Sequence, residues 1–184
     1  MKEYKNTMLI SPDSIKGLGD LNYNVDDNVV AAAIRTAQNV YMEDVLGTAL
    51  LEKLQELVYN DIVGNSPTIE DGEYEPYKTL LDEYVSEALQ YKTISEICVR
   101  ISLKIRNVGV ARNSDTNINA SSLSDIRYIR NTYETYYCDS LNRMMEYLKA
   151  NKKSFQEIDE CPCGGKKPNI NNRYANTGLY LGGK

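Results

Sequence analysis

Four cysteines carry the clearest potential for metal or redox chemistry in this chain, and two of them, Cys161 and Cys163, stand two positions apart. A close cysteine pair followed by glycines is typical of one half of a zinc knuckle, and a structural zinc needs four Cys or His ligands. Because the chain has no histidine, only Cys98 and Cys138 remain to complete such a site. Both fall on predicted helix faces, where a thiol packs as a small hydrophobic group. Cys161 and Cys163 are therefore weak metal candidates, and we expect neither a metal nor a cofactor.

Catalysis is disfavoured by what the chain lacks. The absence of histidine removes the commonest general base near neutral pH. No glycine-rich phosphate loop follows a predicted strand, and no Ser or Cys lies beside an evident base. The loop at residues 60–76 holds five acidic residues and no basic one, but it lacks the spaced aspartates of a calcium loop. We predict that the protein is not an enzyme.

Charge is divided unevenly along the chain. Six basic and three acidic residues give residues 152–184 a net charge of +3, which leaves −8 for residues 1–151. An acidic body argues against a general grip on nucleic acid, which needs clustered positive charge. No apolar run approaches the ~20 residues that span a bilayer, and the N-terminus has no apolar core of a secretory signal. We therefore expect no membrane association and reduced cysteines in a cytoplasm.

Hydrophobic residues recur every three or four positions in four segments, which predicts an all-α helical bundle of about four helices, two of them long. The first helix should begin after Asn24, where Asp26 and Asp27 suit the positive end of the helix dipole. Gly47 offers a left-handed cap that ends it, and Thr48 is expected to cap the second helix.

The two long helices are the third and the fourth. Residues 77–108 contain no Gly or Pro and keep helical spacing, which predicts one long helix that Gly109 ends. The fourth should run from a capping box at residues 122–125 towards Lys149. Because apolar and aromatic residues surround more than one side of this helix, we expect it to pack on two sides.

The organisation predicted from these patterns has three parts: an extended N-terminal arm at 1–24, a helical body at 25–151 and an extended C-terminal tail at 152–184. In the arm, residues 8–10 are expected to form a short strand. The tail is rich in Gly, Asn, Lys and Pro, a composition that does not form a core of its own. Its last apolar residues are suited to anchoring on a surface of another chain.

Tyrosine is the large aromatic residue of this protein, with fifteen Tyr against one Phe and no Trp. Tyr enrichment is typical of protein interfaces, although an AT-rich coding sequence also favours Tyr, Asn, Lys and Ile. The interface candidates lie on the last helix and in the tail: Tyr133, Tyr136, Tyr137, Tyr174, Leu179, Tyr180 and Leu181.

A family resemblance follows from the order of these segments. The chain reads Asn-Val-Asp-Asp at 24–27, Ile-Arg-Thr-Ala-Gln at 34–38, Leu-Gly-Thr-Ala-Leu-Leu at 46–51 and Tyr-Lys-Thr-Leu-Leu-Asp-Glu-Tyr-Val at 77–85. Over residues 8–150 it resembles the head–tail connector (adaptor, or ring) proteins of tailed bacteriophages, of the type found in Bacteroides and crAss-like phages. The length of the last helix and the Cys-Pro-Cys tail depart from the short adaptors.

The resemblance implies a structural virion protein at the head–tail interface, assembled in the host bacterial cytoplasm. It implies a homo-oligomeric ring of about twelve copies, a dodecamer, that contacts the portal and other tail or ring proteins. Such a ring extends the DNA channel and docks the tail, with transient, non-specific passage of DNA. Two alternatives stay open: a helical regulatory or adaptor protein that binds a single protein partner, and a small metal-dependent enzyme or zinc module built on Cys161 and Cys163.

Overall fold

The predicted all-α bundle is confirmed. The computed structural model describes residues 3–18, 25–106, 109–112, 123–159, 165–169 and 174. Its helices are α1 (Pro12–Lys16), α2 (Asp27–Thr36), α3 (Glu43–Val63), α4 (Glu75–Thr79), α5 (Ser86–Ser102) and α6 (Leu123–Ala150).

Two wide π-helical turns fuse the shorter helices into longer runs. Ala37–Met42 joins α2 to α3, and Leu80–Val85 joins α4 to α5. The first run begins as predicted, because the Asp26 side chain accepts a hydrogen bond from the Asn28 amide. This run continues to Gly64, whose backbone is left-handed (φ 73°, ψ 29°). The second helix is therefore longer than predicted, because it includes residues 60–63 of the loop predicted at 60–76. Short 3₁₀ turns lie at Glu3–Asn6, Gly72–Tyr74, Lys152–Ser154 and Gln156–Ile158.

Gly47 kinks α3, as its predicted positive φ requires. Its backbone lies at φ 76° and ψ 162°, a combination that is nearly restricted to glycine. Thr48 does not act as a simple cap of the following helix. Its hydroxyl donates to Glu43 Oε1 (2.8 Å) and accepts from the amide of Lys166 (2.8 Å).

The predicted helix at 77–108 is too long, because α5 ends at Ser102. Strand β1 (Leu103–Arg106) follows directly and pairs antiparallel with β2 (Gly109–Arg112). The physical reason is visible in the residues of β1, Leu-Lys-Ile-Arg, which alternate between apolar and charged side chains. Alternation with a period of two residues favours a strand, whereas apolar residues at every third or fourth position favour a helix.

The core is formed where α5 packs along α6 on one side and against α2 on another. Its fully buried side chains include Ile34, Leu46, Leu54, Leu89 and Leu141, which come from all the long helices. Among the described helices, none is long and apolar enough to span a membrane.

The N-terminal segment differs from the predicted arm, because residues 3–18 pack on the body. Leu9, Ile10 and Ile15 are buried in the common core, and residues 8–10 form no strand. The buried Gln38 side chain accepts from the Leu9 amide (2.9 Å) and donates to the Thr7 carbonyl (2.9 Å). These bonds satisfy the backbone groups of the segment that a strand partner would otherwise have satisfied.

Residues 152–159 also differ from the predicted extended tail. They form two 3₁₀ turns that place Phe155 and Ile158 in the core. The Phe155 ring meets Tyr77 edge to face, with ring centroids 5.0 Å apart. A hydrophobic pair in an otherwise polar segment is enough to hold it on the body, and the predicted boundary at residue 151 separates these two residues from the core to which they belong.

Candidate functional site

The first half of α6 carries an exposed face of large apolar side chains. Tyr128 is 75% exposed, Tyr136 is 47% exposed and Ile129 is 42% exposed. At 3.6 residues per turn, the three lie within about 100° of arc around the helix axis. We call this set the α6 face. Scattered apolar residues are normal on a surface, but a group on one helix face is typical of a docking surface.

An aromatic cluster borders the α6 face and fixes its position. The Tyr136 ring lies 6.0 Å from Tyr133 and 5.5 Å from Tyr91 of α5, measured between centroids. Tyr91 donates in turn to Glu87 Oε1 (3.3 Å). The predicted interface residues Tyr133 and Tyr136 are thus brought together, with Tyr133 half-buried and Tyr136 presented to solvent.

Tyr137, also predicted as an interface residue, lies in the core of the chain at 6% exposure. Successive side chains of a helix point about 100° apart around its axis, so Tyr137 faces a different side of α6 from Tyr136 and is buried in the core. Burial raises the pKa of its phenol. The tyrosine-rich sequence of α6 does not by itself distinguish the buried side from the exposed one.

Tyr174 lies against the second half of α6. Its amide donates to Asn142 Oδ1 (2.9 Å), and its carbonyl accepts from Asn142 Nδ2 (2.8 Å). Desolvation on burial raises the pKa of its half-buried phenol. In the isolated chain this predicted interface residue therefore contacts its own body. The other tail candidates, Leu179, Tyr180 and Leu181, lie outside the described residues.

Metal ligation is not visible in the part of the chain that is described. Cys161 and Cys163 lie outside it, and the described residues contain no group of three or more metal-ligating side chains. Cys98 and Cys138 are half-buried on α5 and α6, and burial raises the pKa of both thiols. A raised pKa disfavours the thiolate that reacts or binds metal.

A buried charge network joins α5, α6 and the first π-helical turn. Lys92, only 4% exposed, places its Nζ 2.5 Å from Glu134 Oε1 and 3.8 Å from Glu96 Oε1. Its ammonium also lies 3.8 Å from the centroid of the Tyr41 ring. The Tyr41 hydroxyl donates to Glu96 (3.1 Å), and burial followed by the charge of Glu96 raises its pKa. Lys92 thus contacts both glutamates and the Tyr41 ring, and these contacts hold α5, α6 and the first π-helical turn together.

A cleft at Gly47 holds part of the tail. Residues 165–169 lie across the kink in α3. The Thr48 amide donates a hydrogen bond to the Lys166 carbonyl, and the Asn169 amide donates one to the Val45 carbonyl; each N···O distance is 3.0 Å. A Cβ built on Gly47 would lie 2.7 Å from Pro168. We call these contacts the Gly47 cleft.

Neither the network nor the cleft follows from the sequence patterns alone. The network had a partial signal, since Lys92, Ser95 and Glu96 share one helix side by their spacing. Glu134 completes it from a distant segment that no local pattern links to Lys92. The cleft had a signal on one side, the glycine at 47, but the tail residues that fill it are polar and unpatterned.

These features define the class of the protein as an all-α helical bundle whose C-terminal segment returns onto the body. Residues 42–168 match the family model described as DUF6712, a family of unknown function, and the chain belongs to this family. The matched range includes Lys92, Glu134 and both sides of the Gly47 cleft up to Pro168. No significant match to the chain is found among curated proteins or solved structures.

Proposed function

We propose that this protein is a structural virion protein of a tailed bacteriophage that forms a ring between portal and tail. In this role it extends the DNA channel and provides a docking surface for the tail. The resemblance over residues 8–150 motivates the proposal. Its quoted stretches at 34–38, 46–51 and 77–85 all belong to the helical runs that build the common core. The observation that carries the proposal is the exposed α6 face.

A ring of identical copies needs two different surfaces on each copy, because every contact is heterologous and repeats until the ring closes. The α6 face supplies one apolar surface. A second apolar group is exposed at the end of α3, where Ile62 is 70% exposed and Val63 is 45% exposed. We propose that the α6 face of one copy packs against the α3 end of the next.

The chemistry of the α6 face suits such a contact. Tyrosine is enriched in interface cores because its ring buries a large apolar area while its hydroxyl still finds a polar partner. Tyr136 is braced by Tyr133 and Tyr91, so little side-chain freedom remains to be lost when a partner covers it. A rigid aromatic surface of this kind favours binding of a fixed neighbour.

The charge of the body is consistent with a channel for DNA. Residues 1–151 carry a net charge of −8. An acidic lining repels the phosphate backbone, so DNA passes without being held. In this proposal the action of the protein is geometric: helix packing closes the ring, and DNA makes only transient, non-specific contacts.

Native mass spectrometry of the purified protein, with and without its presumptive portal, tests the proposal. We expect a closed multimer or a portal-bound stack of about twelve copies, which heterologous closure requires to be uniform in size. A monomer that ignores the portal would contradict the ring and favour a regulator with a single partner. A bound metal mass would instead point to Cys161 and Cys163.

A pair of variants connects that result to the α6 face. Replacing Tyr128 and Ile129 together by Ser removes apolar area from the face, so the multimer should dissociate while the helical content is kept. Leu18→Ser, at an exposed leucine on the short N-terminal segment, is the matched control and should leave the multimer intact. Equal assembly of both variants would show that the α6 face is not the contact between copies.

A further inference from the structure

The Gly47 cleft has the properties of a peptide-binding site. The kink in α3 leaves the Val45 carbonyl and the Thr48 amide facing residues 165–169, which pair with both of them. Main-chain polar groups that lose water need a partner, so this cleft requires an occupant whenever it is shielded from solvent. The occupant binds the cleft through a carbonyl and an amide three residues apart, those of Lys166 and Asn169.

The side chains around the cleft select the type of segment that fits. Asp44 Oδ1 lies 2.5 Å from Lys166 Nζ, and the Thr48 hydroxyl accepts from the Lys166 amide (2.8 Å). Pro168 packs against Gly47, where its ring nitrogen and its Cδ would each lie 2.7 Å from a Cβ built on the glycine. Proline has no N–H that would need a partner at this position. The cleft therefore recognises a basic segment with a proline two residues after the lysine.

We propose that the Gly47 cleft is a site for strap exchange: in the assembled ring it holds residues 166–169 of a neighbouring copy. This inference rests on the proposed ring. The contacts between cleft and segment are the same whether both belong to one chain or to two, which makes exchange of an identical segment a low-cost route to association. The Lys166–Asp44 pair is largely exposed on both sides and adds little resistance to release.

A second attachment makes the exchanged strap an effective connection between subunits. The same tail is held again at Tyr174, whose main chain pairs with Asn142 of α6. Two attachments on one segment act together, because binding of the first raises the effective concentration of the second. A strap with a lysine pair also matches the acidic charge of the body that receives it.

The Lys166–Asp44 contact provides the experiment, because a carbodiimide joins an amine to a carboxylate only when they touch. Full-length protein labelled with heavy nitrogen is mixed with an equal amount of unlabelled protein as monomers, the presumptive portal is added, and the assembled ring is cross-linked and digested. Exchange between copies gives cross-linked peptides of mixed isotope, about half of the total for random neighbours. The unassembled monomer should give same-isotope peptides alone.

The chain supplies its own control. Lys78 Nζ lies 2.5 Å from Glu70 Oε2 in the same chain, eight residues away, in a segment that strap exchange does not move. The Lys78–Glu70 cross-link should therefore stay same-isotope in the ring. Lys166→Arg keeps the charge but removes the reactive amine, so it should remove the Lys166–Asp44 product and leave the control product.

Two variants separate the cleft from the rest of the fold. Gly47→Ala places a Cβ against Pro168, so we expect the Lys166–Asp44 product to be lost while Lys78–Glu70 remains. Thr48→Val removes one hydrogen bond to the strap without changing the backbone, and it serves if Gly47→Ala does not fold. A ring that yields same-isotope Lys166–Asp44 products alone overturns strap exchange and leaves the ring proposal standing. Failure to form any ring overturns both.

Discussion

Lys92 of α5 and Glu134 of α6 join these two packed helices through a contact of 2.5 Å between Nζ and Oε1, at a place where Lys92 is almost fully buried. The same Oε1 accepts a hydrogen bond from Ser95 (2.5 Å). The nearest other carboxylate, Glu96, stands at 3.8 Å from the ammonium. The packing of α6 on α5 therefore includes a charge whose main partner comes from the opposite helix.

Removing Glu134 should destabilise the fold strongly. Glu134→Leu leaves the buried ammonium of Lys92 with the more distant Glu96 as its carboxylate, and breaking a buried pair in this way costs about 3 kcal/mol of unfolding free energy. Urea unfolding followed by circular dichroism measures the loss. Replacing Lys92 by Met in the same chain removes the uncompensated charge, so the double variant should recover much of the stability.

An exposed pair between the same two helices is the control for this experiment. Arg143 lies 2.6 Å from Glu87, and its side chain is more than half exposed. Arg143→Ala should cost about 0–1 kcal/mol, because solvent already screens such a pair. If Glu134→Leu costs no more than Arg143→Ala, the buried network does not hold α5 and α6 together.

Two truncations should behave differently because Phe155 is in the core. A chain that ends at Asn151 loses Phe155 and Ile158, whereas a chain that ends at Asp159 keeps both. Deleting a buried phenylalanine side chain costs about 3–5 kcal/mol. We therefore expect the shorter chain to melt at a much lower temperature or to lose cooperative unfolding, as measured by scanning calorimetry.

The point variant Phe155→Ala separates the effect of the ring from that of the chain end. It should reproduce most of the destabilisation of the shorter truncation. Equal melting of the two truncated chains would show instead that residues 152–159 behave as the extended tail that the sequence composition predicts.

The helical body is the part of the fold that the sequence predicts well. The spacing of Ile129, Leu141, Met144 and Leu148 predicts α6 to within a few residues of its observed end. A start near Asp27 and a break at Gly47 are also predicted, because acidic residues and glycine act through local backbone physics. Local rules of this kind need no knowledge of the rest of the fold.

The ends of the chain are where the predictions fail, and the reason is tertiary. Leu9 lies in a run of only three apolar residues and Phe155 is a single apolar residue between polar ones, and nothing local shows that a core has room for them. The buried Gln38 is equally uninformative until the backbone at Thr7 and Leu9 is placed beside it. Long-range partners decide these positions, and periodicity does not report them.

The candidate sites divide in the same way. Of the interface residues predicted on α6, Tyr136 is exposed, whereas Tyr137 is buried in the same helix. The two residues are adjacent and differ by about 100° around the helix axis. Hydrophobicity does not show which of them is buried, because both are tyrosines. The network at Lys92 was missed for the opposite reason: charged residues on a helix are ordinarily solvated, and burial of a lysine appears only when its partners are in place.

Alanine at the two left-handed glycines should give unequal losses. Gly47 and Gly64 both have positive φ, but a Cβ at Gly47 meets Pro168 and Lys166, whereas nothing lies within 4 Å of a Cβ at Gly64. Gly64→Ala should cost about 1 kcal/mol from backbone strain alone. Gly47→Ala adds the collision and an almost glycine-specific ψ, so it should cost about 3 kcal/mol. Equal midpoints in urea would indicate that residues 165–169 do not occupy the cleft.

Alkaline pH should destabilise the protein partly through Tyr137. Burial raises the pKa of its phenol above the value of about 10 for an unfolded chain. Its contribution to stability is therefore complete below about pH 10 and is lost as the pH rises further, because the unfolded chain then releases the proton that the folded chain keeps.

Tyr137→Phe removes this titration, so its melting temperature should fall less steeply above about pH 10 than that of the unmodified protein. Tyr128→Phe, which changes an exposed ring on the same helix, is the control and should follow the unmodified profile. Melting curves recorded by circular dichroism from about pH 8 to about pH 11 decide the matter. Identical slopes for all three proteins would mean that the Tyr137 ring is reached by water, and the packing of α6 on α5 would have to be looser than the contacts of Lys92 and Glu134 indicate.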